Sequence, residues 1–223
     1  MQVGALLATV LPLALGAAVS PALFALEVLV LSGRRHPISR GWAVAGGAAA
    51  MLIIYTLLGL TVLEHVVHRR SHSVTDAAID LGAALLLALL AIRAFHRRPT
   101  AAESHNRMAS RMLDAPTVSF WGLGAFAMLV NFSTLVLFLA ALHQIPHSSV
   151  DLAEKAVVVV ILILITLLPV LVPLLLVVVL GHKADPVLSG LNEFVSGHAR
   201  QITAGIEILF CLLLLFKAIG ELP

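Results

Sequence analysis

Long uncharged apolar segments alternate with short polar connections along the chain. Four of these segments are long enough to cross a membrane: residues 3–26, 41–63, 118–142 and 156–181. At a rise of about 1.5 Å per residue, a helix of this length spans a hydrocarbon core of about 30 Å. Two further segments, 74–95 and 199–219, reach that length only if an acid lies inside the membrane and a basic residue reaches its edge. The pattern therefore predicts six transmembrane helices.

The two halves of the chain carry the same pattern of polar interruptions. Each half has an apolar segment broken by a polar residue, then a second segment, then a third that holds an acid. The markers are Ser20 with Pro21 and then Asp80 in the first half, and Asn131 and then Glu207 in the second. Because each half crosses the membrane an odd number of times, the second half must be inverted relative to the first.

Composition and charge complete this architecture. The chain has 223 residues, of which 60% are apolar and 12% charged, and this balance does not suit a soluble domain. We predict an all-α polytopic membrane protein with inverted three-helix repeats over 1–98 and 116–223 and a linker over 99–115. Ten of the fourteen Lys and Arg residues follow spans one, three and five. The positive-inside rule therefore places these connections in the cytoplasm and both termini outside.

The interruptions predict a polar site near the middle of the membrane. Ser is a favoured N-cap and Pro a favoured first helical residue, so a helix can restart at Ser20 and Pro21. Asn131 lies at a matching depth in the second half, where Ser133 and Thr134 add hydrogen-bond donors. We predict that the two interruptions meet and that these five residues bind a substrate. An ordinary proline kink with a polar packing contact is the alternative.

Three acids are candidates for a role within the membrane: Asp80 and Glu207 lie inside predicted spans, and Glu27 directly follows the first uncharged segment. An ionised carboxylate there costs about 2.5 kcal/mol or more, so it should be paired, hydrated or protonated. For Asp80 and Glu207 we favour a role in proton coupling, whereas a first-turn acid that complements its helix dipole is the alternative, stronger for Asp80. Glu27 lies close to Arg34 and Arg35, and we expect it to pair with them at the membrane interface.

Prolines and glycines predict how the helices bend and pack. Pro169 and Pro173 share one face of span five, which should bend and could act as a hinge or as a static kink. Four glycines indicate close helix packing in spans two and four: Gly46, Gly47, Gly122 and Gly124. The connection at 187–195 has apolar residues at helical spacing, which predicts a short helix lying on the membrane interface.

Several histidines invite a metal-binding interpretation. His65, His68 and His72 share one helical face, and His143 and His147 are predicted on the same side of the membrane. Neither a Cys nor a carboxylate-rich motif accompanies them, so we interpret them as solvated loop residues and predict no metal site. The chain also lacks a phosphate loop, a Rossmann glycine pattern and a Ser/His/Asp arrangement. We therefore expect neither an enzyme nor a cofactor, and no nucleic-acid partner.

Two stretches resemble a known family. Residues 16–34 read GAAVSPALFALEVLVLSGR, and residues 122–135 read GLGAFAMLVNFSTL. Both resemble the GAP/Sap proteins of actinobacteria, within the LysE exporter superfamily. The resemblance implies a six-helix inner-membrane protein that helps to export a glycopeptidolipid or sulfolipid of the cell envelope in mycobacteria or their relatives. In that family Asn131 would be followed by Pro; because Phe132 departs from this pattern, we expect the sharper break in the first half.

The function that we predict is export or flipping of an envelope lipid. Without a nucleotide-binding motif, the energy should come from an ion gradient or from a partner, such as a larger lipid-export protein. Two alternatives remain open, which are export of an amino acid or metal ion, and a membrane scaffold that transports nothing.

Overall fold

The computed structural model describes residues 3–33, 35–67, 81–82, 85–89, 92, 115–146, 148 and 150–221. Within these ranges every regular element is helical. The elements are α1 (Val3–Ala18), α2 (Pro21–Leu31), α3 (Pro37–Val67), α4 (Thr117–Leu129), α5 (Phe132–His143), α6 (Leu152–Thr166), α7 (Leu168–Leu180), a 3₁₀ turn (Gly181–Lys183) and α8 (Ala184–Glu221). The predicted all-helical class is thus confirmed for the residues described.

The helices match the predicted membrane-crossing segments in length and hydropathy. Helices α3 and α8 each contain a stretch that is long and apolar enough to cross a membrane alone. Three further spans arise if each bent pair counts as one: α1 with α2, α4 with α5, and α6 with α7. The described residues therefore hold up to five spans. Most of the third predicted span, 74–95, lies outside them.

The bend angles contradict the prediction that the sharper break lies in the first half. The first-half pair bends by 55° and the second-half pair by 72°. The prediction of a sharper first break, drawn from the absence of proline at Phe132, was therefore wrong. A proline acts only on its own helix, whereas Asn131 and Thr134 form hydrogen bonds to another part of the chain.

The third bend lies at the predicted prolines. The axes of α6 and α7 differ by 69°, and Pro169 lies in the first turn of α7. Pro173 follows one turn later, inside the same helix. Thr166 at the end of α6 is buried and donates its hydroxyl to the carbonyl of Leu162 at 2.8 Å. The bend is thus confirmed, while movement about it stays a prediction.

The last helix differs from the prediction. Helix α8 runs without interruption from Ala184 to Glu221, over 38 residues. The prediction of a separate short helix at 187–195 was therefore wrong, because that segment is continuous with the helix that contains residues 199–219. A single glycine such as Gly197 lowers helix stability by about 1 kcal/mol and does not stop a helix.

Two glycines bring α3 and α4 into backbone contact. A Cβ atom at Gly47 would overlap the carbonyl oxygen of Trp121, and one at Gly124 would overlap the carbonyl oxygen of Val44. The predicted close packing is confirmed for these two positions. It is wrong for Gly122, where an added Cβ would meet nothing within 4 Å. Gly122 lies two residues from Gly124 and so faces another side of the helix.

The two halves of the chain interlock. Helix α1 packs on α5 and α6, α2 packs on α7 and α8, and α3 packs on α4. One continuous core includes Leu6, Leu52, Phe120 and Phe138, which are buried almost completely. Among the described residues the two halves therefore share one core, and the breaks of both halves are held in one packed body.

Candidate functional site

The interruptions in the two halves meet, as the sequence predicted. The Asn131 side-chain amide Nδ2 donates a hydrogen bond to Ser20 Oγ at 2.8 Å. These residues are 111 positions apart in the chain. We call the group formed by Ser20, Asn131, Ser133 and Glu207 the junction. It lies where α1 gives way to α2 and α4 gives way to α5.

Ser20 holds the first break in place. Its backbone is extended (φ −126°, ψ 95°), and its Oγ accepts a hydrogen bond from the backbone N–H of Leu23 at 3.3 Å. Pro21 follows as the first residue of α2 and has no N–H of its own. With Asn131 as a second donor, both lone pairs of the Ser20 hydroxyl are used. Only its hydrogen remains to bind another group.

Asn131 behaves differently at the second break. It occupies the N-cap position of α5, but its side chain does not accept a hydrogen bond from that helix. The amide is instead directed to Ser20. The first N–H groups of α5 have no carbonyl within the helix to bind, and they carry a partial positive charge. The first turn of α5 therefore presents donors at the junction.

Glu207 lies beside that turn. Its Oε1 accepts a hydrogen bond from Ser133 Oγ, and the side chain is only 2% exposed. Its Oε2 is buried and has no hydrogen-bond partner. Helix α8, which carries Glu207, lies close to α1 here, because the ring of Phe210 fills the space left by the missing side chain of Gly16. The sequence predicted a role in proton coupling for Glu207 but no contact with the interruptions, whereas the structure connects it directly to one.

Thr134 connects α5 to the end of α1. Its Oγ1 donates to the carbonyl oxygen of Ala17 at 3.0 Å, and the residue is buried. Ala17 lies in the last turn of α1, where carbonyls lack partners within the helix. Thr134 thus satisfies a backbone group that the break exposes. Of the five residues predicted to bind substrate, Thr134 and Pro21 shape the junction, while Ser20, Asn131 and Ser133 supply its polar groups.

Apolar side chains flank the junction. Val19, Val130 and Phe132 are 44%, 37% and 57% exposed, although each lies next to a break. Asn131 and Ser133 are half-buried. The half-buried Asn131 and Ser133 are therefore the polar side chains of the junction nearest to the surface, Glu207 is enclosed behind them, and apolar surface continues on the outside of the protein.

Glu27 does not form the predicted interfacial ion pair. The side chain is 0% exposed, and neither carboxylate oxygen has a hydrogen-bond partner. Arg35 is exposed, and Arg34 lies outside the described residues. The prediction was wrong because Glu27 lies on the face of α2 that packs against α3 and α7, not on the face towards the loop.

Sequence reasoning missed one buried cation. Arg40, in the first turns of α3, is 5% exposed. Its Nη2 donates to the carbonyl oxygen of Ala115 at 3.1 Å, and its Cζ lies 4.7 Å from the centre of the Phe120 ring. The sequence counted Arg40 only as one of many basic residues near a span end. The signal in the sequence was that Arg40 directly precedes the long uncharged segment 41–63.

The remaining predicted residues are less fully described. Asp80, His68, His72 and His147 lie outside the described residues, and His65 is described only as part of the α3 backbone. The interpretation of His143 as a solvated loop residue was wrong, because α5 extends to this residue and buries its side chain. In the described part of the chain, no three His, Cys, Asp or Glu side chains lie close enough to hold a metal ion.

Comparison with known proteins gives one match. The family model described as Sap, sulfolipid-1-addressing protein, matches residues 10–220 and so covers nearly the whole chain. No curated protein and no solved structure matched the chain.

Proposed function

The chain belongs to the sulfolipid-1-addressing protein family, and we propose that it moves an anionic envelope glycolipid across or out of the bacterial inner membrane. The observation that carries this proposal is the junction, in which paired helix breaks present polar groups beside exposed apolar side chains. This combination suits a substrate with a charged, hydroxylated head group and acyl chains.

The chemistry of the junction fits such a head group. The first turn of α5 offers N–H donors and a partial positive charge, which bind sulfate or phosphate esters well. Glu207 Oε2 is buried and has no partner among the described residues, so it would accept a hydrogen bond from a sugar hydroxyl once opening of the halves uncovers it. The acyl chains would remain in the lipid, against Val19 and Phe132. The head group would then cross the membrane interior without losing all its hydrogen bonds.

The transport cycle that we propose uses the two inverted repeats that the sequence pattern predicts. Two inverted repeats, six spans and external termini would let the halves rock about the junction and open it to each side in turn. Pro169 and Pro173 would serve as the hinge in span five. Asp80 and Glu207 would couple this movement to a proton gradient, or a larger lipid-export partner would supply the energy. The protein would thus act as a transporter and not as an enzyme.

A flipping assay tests the proposal. The purified protein is reconstituted in liposomes that contain a sulfated glycolipid with a fluorescent acyl chain, and an impermeant reductant reports the fraction in the outer leaflet. We expect Asn131→Ala to slow flipping several-fold, because it removes the hydrogen bond to Ser20, of about 1 kcal/mol, that holds the two breaks together. Ser189→Ala is the matched control, because Ser189 is exposed and bonds only to the nearby carbonyl of Pro186.

Two outcomes would contradict the proposal in different ways. If wild-type protein does not accelerate flipping, the scaffold interpretation is favoured. If wild-type protein is active and Asn131→Ala is equally active, the junction is not the lipid site. An unsulfated version of the same glycolipid should flip more slowly, since the α5 terminus would have no anion to bind.

A further inference from the structure

A second acidic site lies in α2, apart from the junction. Glu27 is completely buried, and in the part of the chain that the structure describes neither of its carboxylate oxygens has a hydrogen-bond partner. It is seven residues after Ser20, which corresponds to about 10 Å along a helix. The proposed lipid site makes no use of this carboxyl group.

The cavity around the Glu27 carboxyl is apolar and tight. A Cβ atom placed on Gly41 would lie 2.6 Å from Glu27 Oε1, 2.8 Å from Leu174 Cδ1 and 2.9 Å from Leu31 Cδ2. The carboxyl thus occupies the space left by the missing side chain of Gly41, between α2, α3 and α7. The two side chains that share this space, Leu31 and Leu174, are hydrocarbon, and among the described residues no hydrogen-bond donor meets the carboxyl.

None of the described charged side chains on the surrounding helices forms a hydrogen bond with the Glu27 carboxyl. Helices α1 and α7 contain no titratable residue, and Glu27 is the only one in α2. Helix α8 packs against α2 through Ala184 and Leu188, while its Asp185 is exposed. In α3, the guanidinium of Arg40 is directed to Ala115 and Phe120.

We infer that Glu27 is a proton-binding site that is occupied when α2, α3 and α7 are packed together as in this structure. Burying an ionised carboxylate without a partner costs several kcal/mol, far more than burying the neutral acid. The proton can leave only to water, and water reaches the carboxyl only if α2 separates from Gly41. Release of the Glu27 proton is therefore linked to separation of α2 from α3 and α7. This inference goes beyond the proposed lipid transport and does not depend on it.

Infrared spectroscopy of the full-length protein in lipid tests the inference directly. A neutral carboxylic acid and a carboxylate absorb at different frequencies, so removal of Glu27 shows which form was present. We expect the wild-type minus Glu27→Gln difference spectrum at neutral pH to contain a carboxylic-acid C=O band. If it contains carboxylate bands instead, Glu27 is ionised and the inference fails.

Two further variants test whether the carboxylic-acid band arises from Glu27. Glu207→Gln should leave the Glu27 band in place, since the two acids are in separate sites. Glu27→Asp should shift the band and retain it, which would exclude a general change of structure as its cause. Because the measurement requires no substrate, it can succeed or fail whether or not the protein flips lipid. A carboxylic-acid band that is unchanged in both Glu27 variants would also overturn the inference.

Discussion

Asn131 donates its side-chain amide to Ser20 Oγ at 2.8 Å, and this bond joins the helix breaks of the two halves of the chain. Each residue stands at the N-terminus of a helix that begins inside an apolar segment. Ser20 also caps its own helix, whereas Asn131 does not. Substitution of the two residues should therefore lower the free energy of unfolding by different amounts.

A double-mutant cycle measures this bond. We expect Ser20→Ala to lower the free energy of unfolding more than Asn131→Ala does, because Ser20→Ala also removes a helix cap of about 1 kcal/mol. The coupling between the two changes should be about 0.6 to 1.7 kcal/mol, as for other hydrogen bonds between membrane helices. Unfolding in mixed detergent provides the four free energies. Strict additivity of the two changes would show that the bond does not contribute.

Substitution of Gly124 tests the contact between α3 and α4. Gly124→Ala should lower the free energy of unfolding by about 1 to 3 kcal/mol, because the new methyl group must displace the backbone at Val44. Gly122→Ala is the control in the same helix, where the methyl group meets nothing within 4 Å. It should be neutral, or stabilising by up to about 1 kcal/mol. Thermal unfolding in one detergent compares the pair, and equal effects would contradict the described packing.

The bond between Ser133 and Glu207 predicts a pattern of rescue. Ser133→Ala should destabilise the protein by about 1 to 3 kcal/mol, because it leaves the buried carboxyl without its hydroxyl donor. Glu207→Gln in the same background should recover part of this loss, since a neutral amide is less costly to bury than an ionised carboxyl. If the double variant is as unstable as the sum of the single changes, the two side chains do not interact.

Glu207 also provides a test of proton coupling. If this carboxyl carries the coupled proton, Glu207→Gln should make the lipid flipping rate independent of a pH difference across the liposome membrane. Wild-type protein in the same liposomes should respond to that difference. A variant that responds as the wild type does would remove Glu207 from the coupling mechanism.

The buried contact between Arg40 and Phe120 can be tested with a double-mutant cycle. Arg40→Met keeps much of the side-chain volume but removes the charge above the Phe120 ring and the donor to Ala115. We expect a loss of about 2 kcal/mol or more, in line with a desolvated cation and aromatic ring. Arg35→Met is the control, since Arg35 is exposed. A smaller effect of Arg40→Met in a Phe120→Leu background would confirm the contact.

The structure shows where sequence reasoning succeeded and where it failed. The break at Ser20 and Pro21 was predictable because N-cap and first-turn preferences act within a few residues. The larger bend at Asn131 was not, because the groups to which Asn131 and Thr134 bond lie in the other half, at Ser20 and Ala17. For Glu27, nearby arginines in the sequence indicated an ion pair, but the rotation of α2 placed the carboxyl in the core.

The sequence by itself determined that this is a membrane protein of apolar helices, since hydropathy over about 20 residues decides which segments a bilayer accepts. It also determined which residues interrupt those helices. Only the tertiary structure decided that Ser20 meets Asn131, that Glu207 bonds to Ser133, and that Glu27 is enclosed beside Gly41. The physical reason is that lipid-facing and core-facing apolar residues have the same chemistry, so the packing face of each helix is settled by contacts between distant segments.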